Sequence, residues 1–431
     1  MRNRIGMALT LVQGLVVFTF SFPSWGDELP SPPAPINGGT FQVGEAHQDI
    51  TPSAAQASRV YLGGYGMSFT RGPMKSVHDP IFARAISIRP SEQEQTVIFV
   101  VLDSVGLSNR LTQEIHAGFR ARFPRFKGQL FVSATHSHSA PDLMGLWGWV
   151  PRAYLEIVKA KTIQAMSDAY LNGQEARLLV GNNTALAENR RGWIHTDSEM
   201  TVLQAVSTAA PYSVIATLVN FAAHPTVLEE SNHALSRDFC GYLVDELEKI
   251  YRAPALFINA DEGDALPLRN GQKADFNVAR HYGEYLAERV VGALQNKIQL
   301  SSTISVSEKS WIHTVNSSLI KLAVFFKMLD FVFFRSAKSG LEVEFPVSYI
   351  KIGELQMAAY PGEAVTRLGM GIRERMSSRY RMMLGLTNGS LGYLLGEDEW
   401  DTGRNYNYEE NLSIDMHIGE RMKQEFITLM K

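Results

Sequence analysis

The sequence predicts an α/β protein with central mixed β-sheets flanked by helices in a single large domain. Three observations predict it. After Asn37, short apolar runs alternate with amphipathic segments, the order expected where strands and helices build one layered core. Four of the apolar runs lead into a histidine or an aspartate, and in α/β folds the groups that handle ligands collect beyond strand C-terminal ends. Neither an internal repeat nor a linker interrupts the chain after Pro35.

The elements follow in chain order. Arg2 and Arg4 precede an apolar stretch from Ile5 to Phe20, and Ser24-Trp25-Gly26 supplies small residues at a cleavage site. Residues 1–26 therefore read as a signal peptide cleaved near Gly26, 27–37 as a Pro-rich leader, and 38–431 as the folded domain. An uncleaved anchor is the competing reading, with about 16 residues against the ~20 that span a bilayer. Either way the protein is exported, to periplasm or medium. Near-continuous apolar runs at Thr96–Asp103, Gly128–Ala134, Ser213–Ala223 and Pro254–Ala260 predict buried strands. Helical patterns cover Asn109–Phe123, Pro151–Leu171, Tyr242–Tyr251 and Asn277–Leu294. Leu319–Phe334 (LIKLAVFFKMLDFVFF) is apolar but holds Lys321, Lys327 and Asp330, too short and charged to cross a bilayer. As a helix it either touches a membrane surface peripherally, covers an acyl-chain groove, or is an ordinary buried helix with snorkelling lysines.

Composition excludes several classes. The 431 residues carry 41 Lys+Arg against 44 Asp+Glu, a net charge of −3, without the basic excess of a nucleic-acid binder. With 45% hydrophobic and 20% charged residues, a large core is affordable and wholesale disorder is not expected. Cys240 is the single cysteine, so an intramolecular disulfide and a Cys-rich zinc site are both ruled out.

His136 and His138 follow the second predicted strand. If strand geometry continues, period two puts both imidazoles on one face. His224 ends a different strand, and a metal needs ligands converging from separate elements. Spacing alone leaves hydrogen-bonded structural histidines and metal ligands equally open. Asp261, Glu262 and Asp264 cluster after the fourth strand; such acids more often cap a helix or orient a histidine than hold a second cation.

An ordered series of short motifs resembles the catalytic region of the neutral/alkaline non-lysosomal ceramidases. It runs through Asp49-Ile50-Thr51-Pro52, Gly63-Gly64-Tyr65-Gly66, Ala134-Thr135-His136-Ser137-His138-Ser139-Ala140-Pro141, Asn189-Arg190, Asn220-Phe221 with His224, Pro361-Gly362-Glu363, Gly392-Tyr393 and Tyr408-Glu409. The resemblance implies one Zn2+ per chain held by His136, His224, Glu363 and Tyr393, with His138, Arg190 and Tyr408 as catalytic groups. Tyr406 competes with Tyr408 for the last position. Without the resemblance, Tyr393 reads as an aromatic in a Gly-rich turn and Glu363 as an acid at a helix N-terminus.

The implied activity is hydrolysis of an amide bond in a ceramide-like or other N-acylated lipid or small molecule by metal-activated water. The alternatives are an ester or lactone hydrolase using the same metal, or a non-catalytic metal-containing binding protein of this fold. Two departures bear on substrate. Gly263-Asp264-Ala265-Leu266-Pro267 places Leu266 where the family has a serine, removing a hydroxyl from the expected site. The Gly-rich stretch after the histidines becomes Ala140-Pro141-Asp142-Leu143-Met144-Gly145, which implies a differently shaped pocket.

Overall fold

The computed structural model describes residues 39–431 apart from 67–69, 195, 270 and 339, so the expected signal peptide and leader lie outside the described residues. Each of the four predicted strands forms, trimmed by one or two residues: Val97–Leu102, Gln129–Ala134, Val214–Phe221 and Ala255–Asn259. They join a nine-stranded mixed sheet. Its order runs Ala255–Asn259, Val214–Phe221, Glu199–Ser207, Gln174–Thr184, Phe41–Asp49, Phe82–Pro90, Val97–Leu102, Gln129–Ala134, with Ile298–Gln299 paired to Gln174–Thr184. The outermost pair at each end is parallel and the pairs between are antiparallel.

Period two sorts the side chains of this sheet into two cores. Val97, Phe99 and Val101 point to one face; Ile98, Val100 and Leu102 point to the other. The second face is covered by the helices Asn109–Arg122 and Arg152–Leu171. Farther along the sheet, Val219 and Phe221 meet the helices Asp238–Tyr251 and Phe276–Ala293. These four helices match the predicted ones, except that the third starts a turn early, where Asp238 takes a left-handed φ of 55° and its carboxylate accepts from the Leu228 amide.

The first face packs on a second sheet that the sequence reading did not resolve. It orders Ile304–Thr314, Gly340–Ile352, Leu355–Ala359 and Tyr380–Leu384, with Phe334–Ser336 alongside Gly340–Ile352. Ile350, Ile352, Met357 and Met382 face the first sheet; Val347, Tyr349, Ala358 and Met383 face outward, towards the helices Thr366–Arg373 and Ile418–Leu429. The result is four layers, helices, sheet, sheet, helices. Asn220 bolts the sheets together: its amide donates to the Ile258 and Met383 carbonyls at 2.9 and 2.8 Å and accepts from the Met383 amide at 3.0 Å.

The expected helix at Leu319–Phe334 is only half helical. It spans Ser318–Phe325 and then stops in a Schellman motif. Lys327 adopts φ 56°, its amide bonds the Val324 carbonyl, and the Met328 amide bonds the Ala323 carbonyl. Nor is it a buried helix, since Ala323 is its one buried residue.

Candidate metal centre

The strand Gln129–Ala134 ends two residues before His136. His136 then takes φ 70°, a left-handed conformation costing a residue with a Cβ roughly 1–2 kcal/mol. Its amide is secured on the Ser104 carbonyl at 3.0 Å. His136 and His138 therefore converge through a turn, not through strand alternation, and their rings meet edge-on at 4.7 Å. The His138 backbone is held on both sides: its amide donates to Pro225 at 3.1 Å, and the Arg71 guanidinium donates to its carbonyl. Gly64, at φ 95°, makes room for the ring, because a Cβ there would lie 2.2 Å from the His138 ring atoms.

His224 comes from the opposite end of the first sheet, three residues beyond Val214–Phe221. The two edges meet because the sheet curls, and Asn259 joins them. Its side chain donates to the Thr135 and Ala223 carbonyls at 3.3 and 2.9 Å and accepts from the Ala223 amide at 3.2 Å. One amide thus aligns the residues preceding both histidines. Sequence reasoning passed over Asn259; the available signal was an amide inside the apolar run PALFINA.

Glu363 and Tyr393 arrive together. The short strands Glu363–Ala364 and Tyr393–Leu394 pair in parallel with Glu363 opposite Tyr393, so Glu363 is not at a helix N-terminus. The Glu363 Oε2 lies 3.3 Å from His136 Nε2 and 3.4 Å from His224 Nε2. The Nε2 atoms of His136 and His224 are 3.0 Å apart, and His138 Nε2 is 3.2 Å from that of His136.

This packing is electrostatically incomplete as it stands. His136 Nδ1 faces the Val105 carbonyl, and His224 Nδ1 faces the Glu262 carbonyl at 2.7 Å. A carbonyl only accepts, so each Nδ1 carries the proton and each neutral ring turns a bare Nε2 lone pair inward. Burial and the Arg190 charge push His224 down to about 4, and burial with the two neighbouring imidazoles pushes His138 well below its usual value. Lone pairs and a carboxylate oxygen without a hydrogen-bond donor therefore converge on one point. His136, His138 and His224, all buried, each offer a ring nitrogen within 4.8 Å of the others, a donor set able to bind a metal. A divalent cation fits what these residues lack.

Beside this point lie the remaining expected residues. The ring of Tyr393 stacks near His224 at 6.4 Å and that of Tyr408 is 5.9 Å from Tyr393. The Arg190 guanidinium covers both, 5.1 Å from the Tyr393 ring and 5.4 Å from the Tyr408 ring. It is anchored by Glu409 at 2.7 Å and the Gly263 carbonyl at 2.5 Å. Tyr406, the competitor, is 95% exposed. The acids after the fourth strand serve the scaffold: Asp264 accepts from the Thr366 amide and hydroxyl at the start of a helix, Asp261 accepts from Tyr360, and the Glu262 backbone orients His224. Leu266 lies in a two-strand ladder against Glu188. Asp142, also missed, organises the loop after the histidines. Its carboxylate accepts from the amides of Met144, Gly145, Trp147, Gly148 and Trp149 at 2.6–3.3 Å.

Residues 41–185, which contain His136 and His138, match the family model of neutral/alkaline non-lysosomal ceramidase, N-terminal. The neutral ceramidase of Drosophila melanogaster is 24% identical over 273 residues, 55% of this chain and 38% of the relative. That of Pseudomonas aeruginosa is 22% identical over 256 residues, 54% of this chain and 36% of the relative. The alignments thus span less than two-fifths of either relative. In fold, the crystal structure of neutral ceramidase from Pseudomonas aeruginosa matches 91% of this chain and 74% of that one, with TM-score 0.75 and 18% identity. A structure described as ceramidase complexed with C2 matches 90% and 74%, with TM-score 0.75 and 16% identity. The chain is thus similar in sequence over residues 41–185 to the neutral/alkaline non-lysosomal ceramidase family model, and in fold over nine-tenths of its length to a solved neutral ceramidase.

Proposed function

We propose that this protein is an exported zinc-dependent hydrolase that cleaves the amide bond of a ceramide-like or other N-acylated lipid or small molecule. The observation that carries the reading is the convergence of inward-facing imidazole lone pairs and the Glu363 carboxylate on one point. Its similarity to proteins named neutral ceramidase supports the amide as the bond attacked.

His136, His224, Glu363 and Tyr393 would hold the ion, with His138 the nearest further nitrogen. Bound zinc supplies Lewis acidity, which activates water near neutral pH and polarises an amide carbonyl. The chain's own residues do the rest. His138, whose Nε2 faces that of His136 at 3.2 Å, would handle the proton that passes from water to the departing amine. Arg190 keeps its charge despite burial because Tyr393 and Glu409 hold it. Fixed over the two phenols, it presents positive charge to the oxygen that gains electrons as the carbonyl is attacked. The Tyr408 hydroxyl, on a half-exposed ring, would orient the amide. None of these roles needs a hydroxyl at position 266, which bears on substrate shape, not on the bond-breaking step.

The test is metal analysis of the purified protein, followed by a screen of N-acyl amides and of esters with and without a chelator. Stoichiometric zinc and chelator-sensitive amide turnover, absent in His136→Ala, are expected. A zinc-loaded protein that turns over esters alone, or nothing, overturns the amidase reading.

A further inference from the structure

The helix Ser318–Phe325 shows solvent a row of large apolar side chains. Leu319 is 48% exposed, Leu322 52%, Phe325 72% and, just beyond the helix, Phe326 61%. The spacing of Leu319, Leu322 and Phe326 puts them on one side. The opposite side is well packed: Ile320, Val324, Leu329 and Phe333 lie on the apolar cluster that also contains Met144, Trp147 and Tyr393. Trp149 extends the outer surface. Its ring, 48% exposed, donates through Nε1 to the Met328 carbonyl at 3.2 Å, and the Asp330 amide donates to the Met144 carbonyl at 2.9 Å. Those bonds tie the helix to the Asp142-organised loop that leads from the histidines. Fully burying one such side chain is worth about 1.5–3 kcal/mol, so the patch is costly in water and reads as an interaction surface.

Charge identifies the occupant. Lys321, within the helix, and Lys327, just past it, are both exposed, as are Arg335 and Lys338 farther along the chain. In sequence the one acid between them is Asp330, neutralised by Arg110 at 3.0 Å, while Glu342 stands opposite Phe334 in the neighbouring strand. A cationic rim on a chain of net charge −3 is selective for an anionic surface. The same rim disfavours a second copy, since a two-fold contact through this face would bring like charges together. No helix among the described residues is long and apolar enough to cross a membrane, which suits a segment lying in the interface plane.

We propose that the outer face of Ser318–Phe325 together with Phe326 and Trp149 docks on an anionic lipid leaflet. The aromatic rings enter the headgroup–acyl boundary, and Lys321 and Lys327 sit among the phosphates. The side of the helix turned away from the leaflet packs on the apolar cluster that also contains Tyr393. Docking does not depend on the chemistry proposed above.

Flotation of the purified full chain with phosphatidylcholine vesicles, with and without phosphatidylglycerol, tests this. The parent is expected to float with the anionic vesicles. Phe325→Ser with Phe326→Ser should weaken binding at least about tenfold, with thermal unfolding unchanged because both side chains are exposed. Lys321→Glu with Lys327→Glu should cost about fivefold per lysine and erase the preference for phosphatidylglycerol. The apolar stretch Ile5–Phe20 is common to all variants, so their differences read this face alone. A parent that stays unbound with both vesicle types, or a serine variant that binds as tightly, overturns the proposal. So does a dimer that the serine variant dissolves without any vesicle binding. His136→Ala is expected to float like the parent; a parent that floats but hydrolyses nothing overturns the proposed activity alone.

Discussion

Two buried polar clusters adjoin at Arg190, and they are finished differently. In one, Arg190 and Arg191 meet Glu409 and Glu410. Glu409 Oε1 receives Arg190 and Asn405 at 2.7 and 2.8 Å, its Oε2 receives Arg191 at 2.8 Å, and both Glu410 oxygens receive Arg191 at 3.0 Å. Two cations meet two anions and all four carboxylate oxygens have donors, with Arg191 Nε alone left without a partner. In the other, His136, His138, His224 and Glu363 turn acceptors towards acceptors, and the Glu363 Oε2 has no donor. Buried polar groups are almost always satisfied, so a closed cluster reads as scaffold and an open one as a place for something external and positive.

The largest effect should come from breaking the open cluster. Glu363→Ala is expected to abolish zinc retention and to lower amide turnover by about 10³-fold or more. In the parent, zinc at ~1,000 times its Kd should add about 4 kcal/mol to unfolding stability, a gain the variant lacks. Urea unfolding with zinc and with chelator measures both; a parent indifferent to chelator would erase the contrast between the clusters.

Arg191→Met attacks the closed cluster and leaves Glu409 and Glu410 buried without their partner. Such a loss costs about 3–5 kcal/mol. The unfolding midpoint should fall by that amount while zinc content stays stoichiometric. If the metal is lost with the arginine, the two clusters are not separable.

The smallest effect belongs to Glu399, whose backbone carbonyl accepts from Arg191. Burial and then the Asp264 charge push its carboxyl up to about 7. A folded pKa above the unfolded ~4.3 means that the folded chain holds this proton longer. Stability is therefore full below about pH 4 and declines as pH rises from there through 7, by at most about 4 kcal/mol. Glu399→Gln should flatten that decline, read as the difference in unfolding free energy between pH 5 and pH 8. An unchanged slope would leave the carboxyl ionised and stabilised by the nearby Arg367.

The histidines illustrate how far a sequence could be read. The buried strands before them announce themselves through apolar runs of the right length, and the polar residues at their ends mark the active face. The second sheet did not announce itself in the same way. Ile304–Thr314 is mostly exposed, and its partner Gly340–Ile352 alternates burial only in part, so neither forms a continuous apolar run. The segment Leu319–Phe334 misled because apolar content was taken for helix length, whereas the left-handed turn at Lys327 ends the helix midway.

Local pattern was sufficient for the α/β class, the strand ends and the residue types that could face a ligand, because periodicity and punctuation are properties of neighbouring residues. Meeting was another matter. His136 and His224 are carried by strands at opposite ends of a sheet, and Glu363 reaches them only through its register with Tyr393. Bringing such residues within 3.4 Å depends on the twist accumulated over seven strands in sheet order and on the Asn259 clamp, neither of which is written in any stretch of chain shorter than the fold.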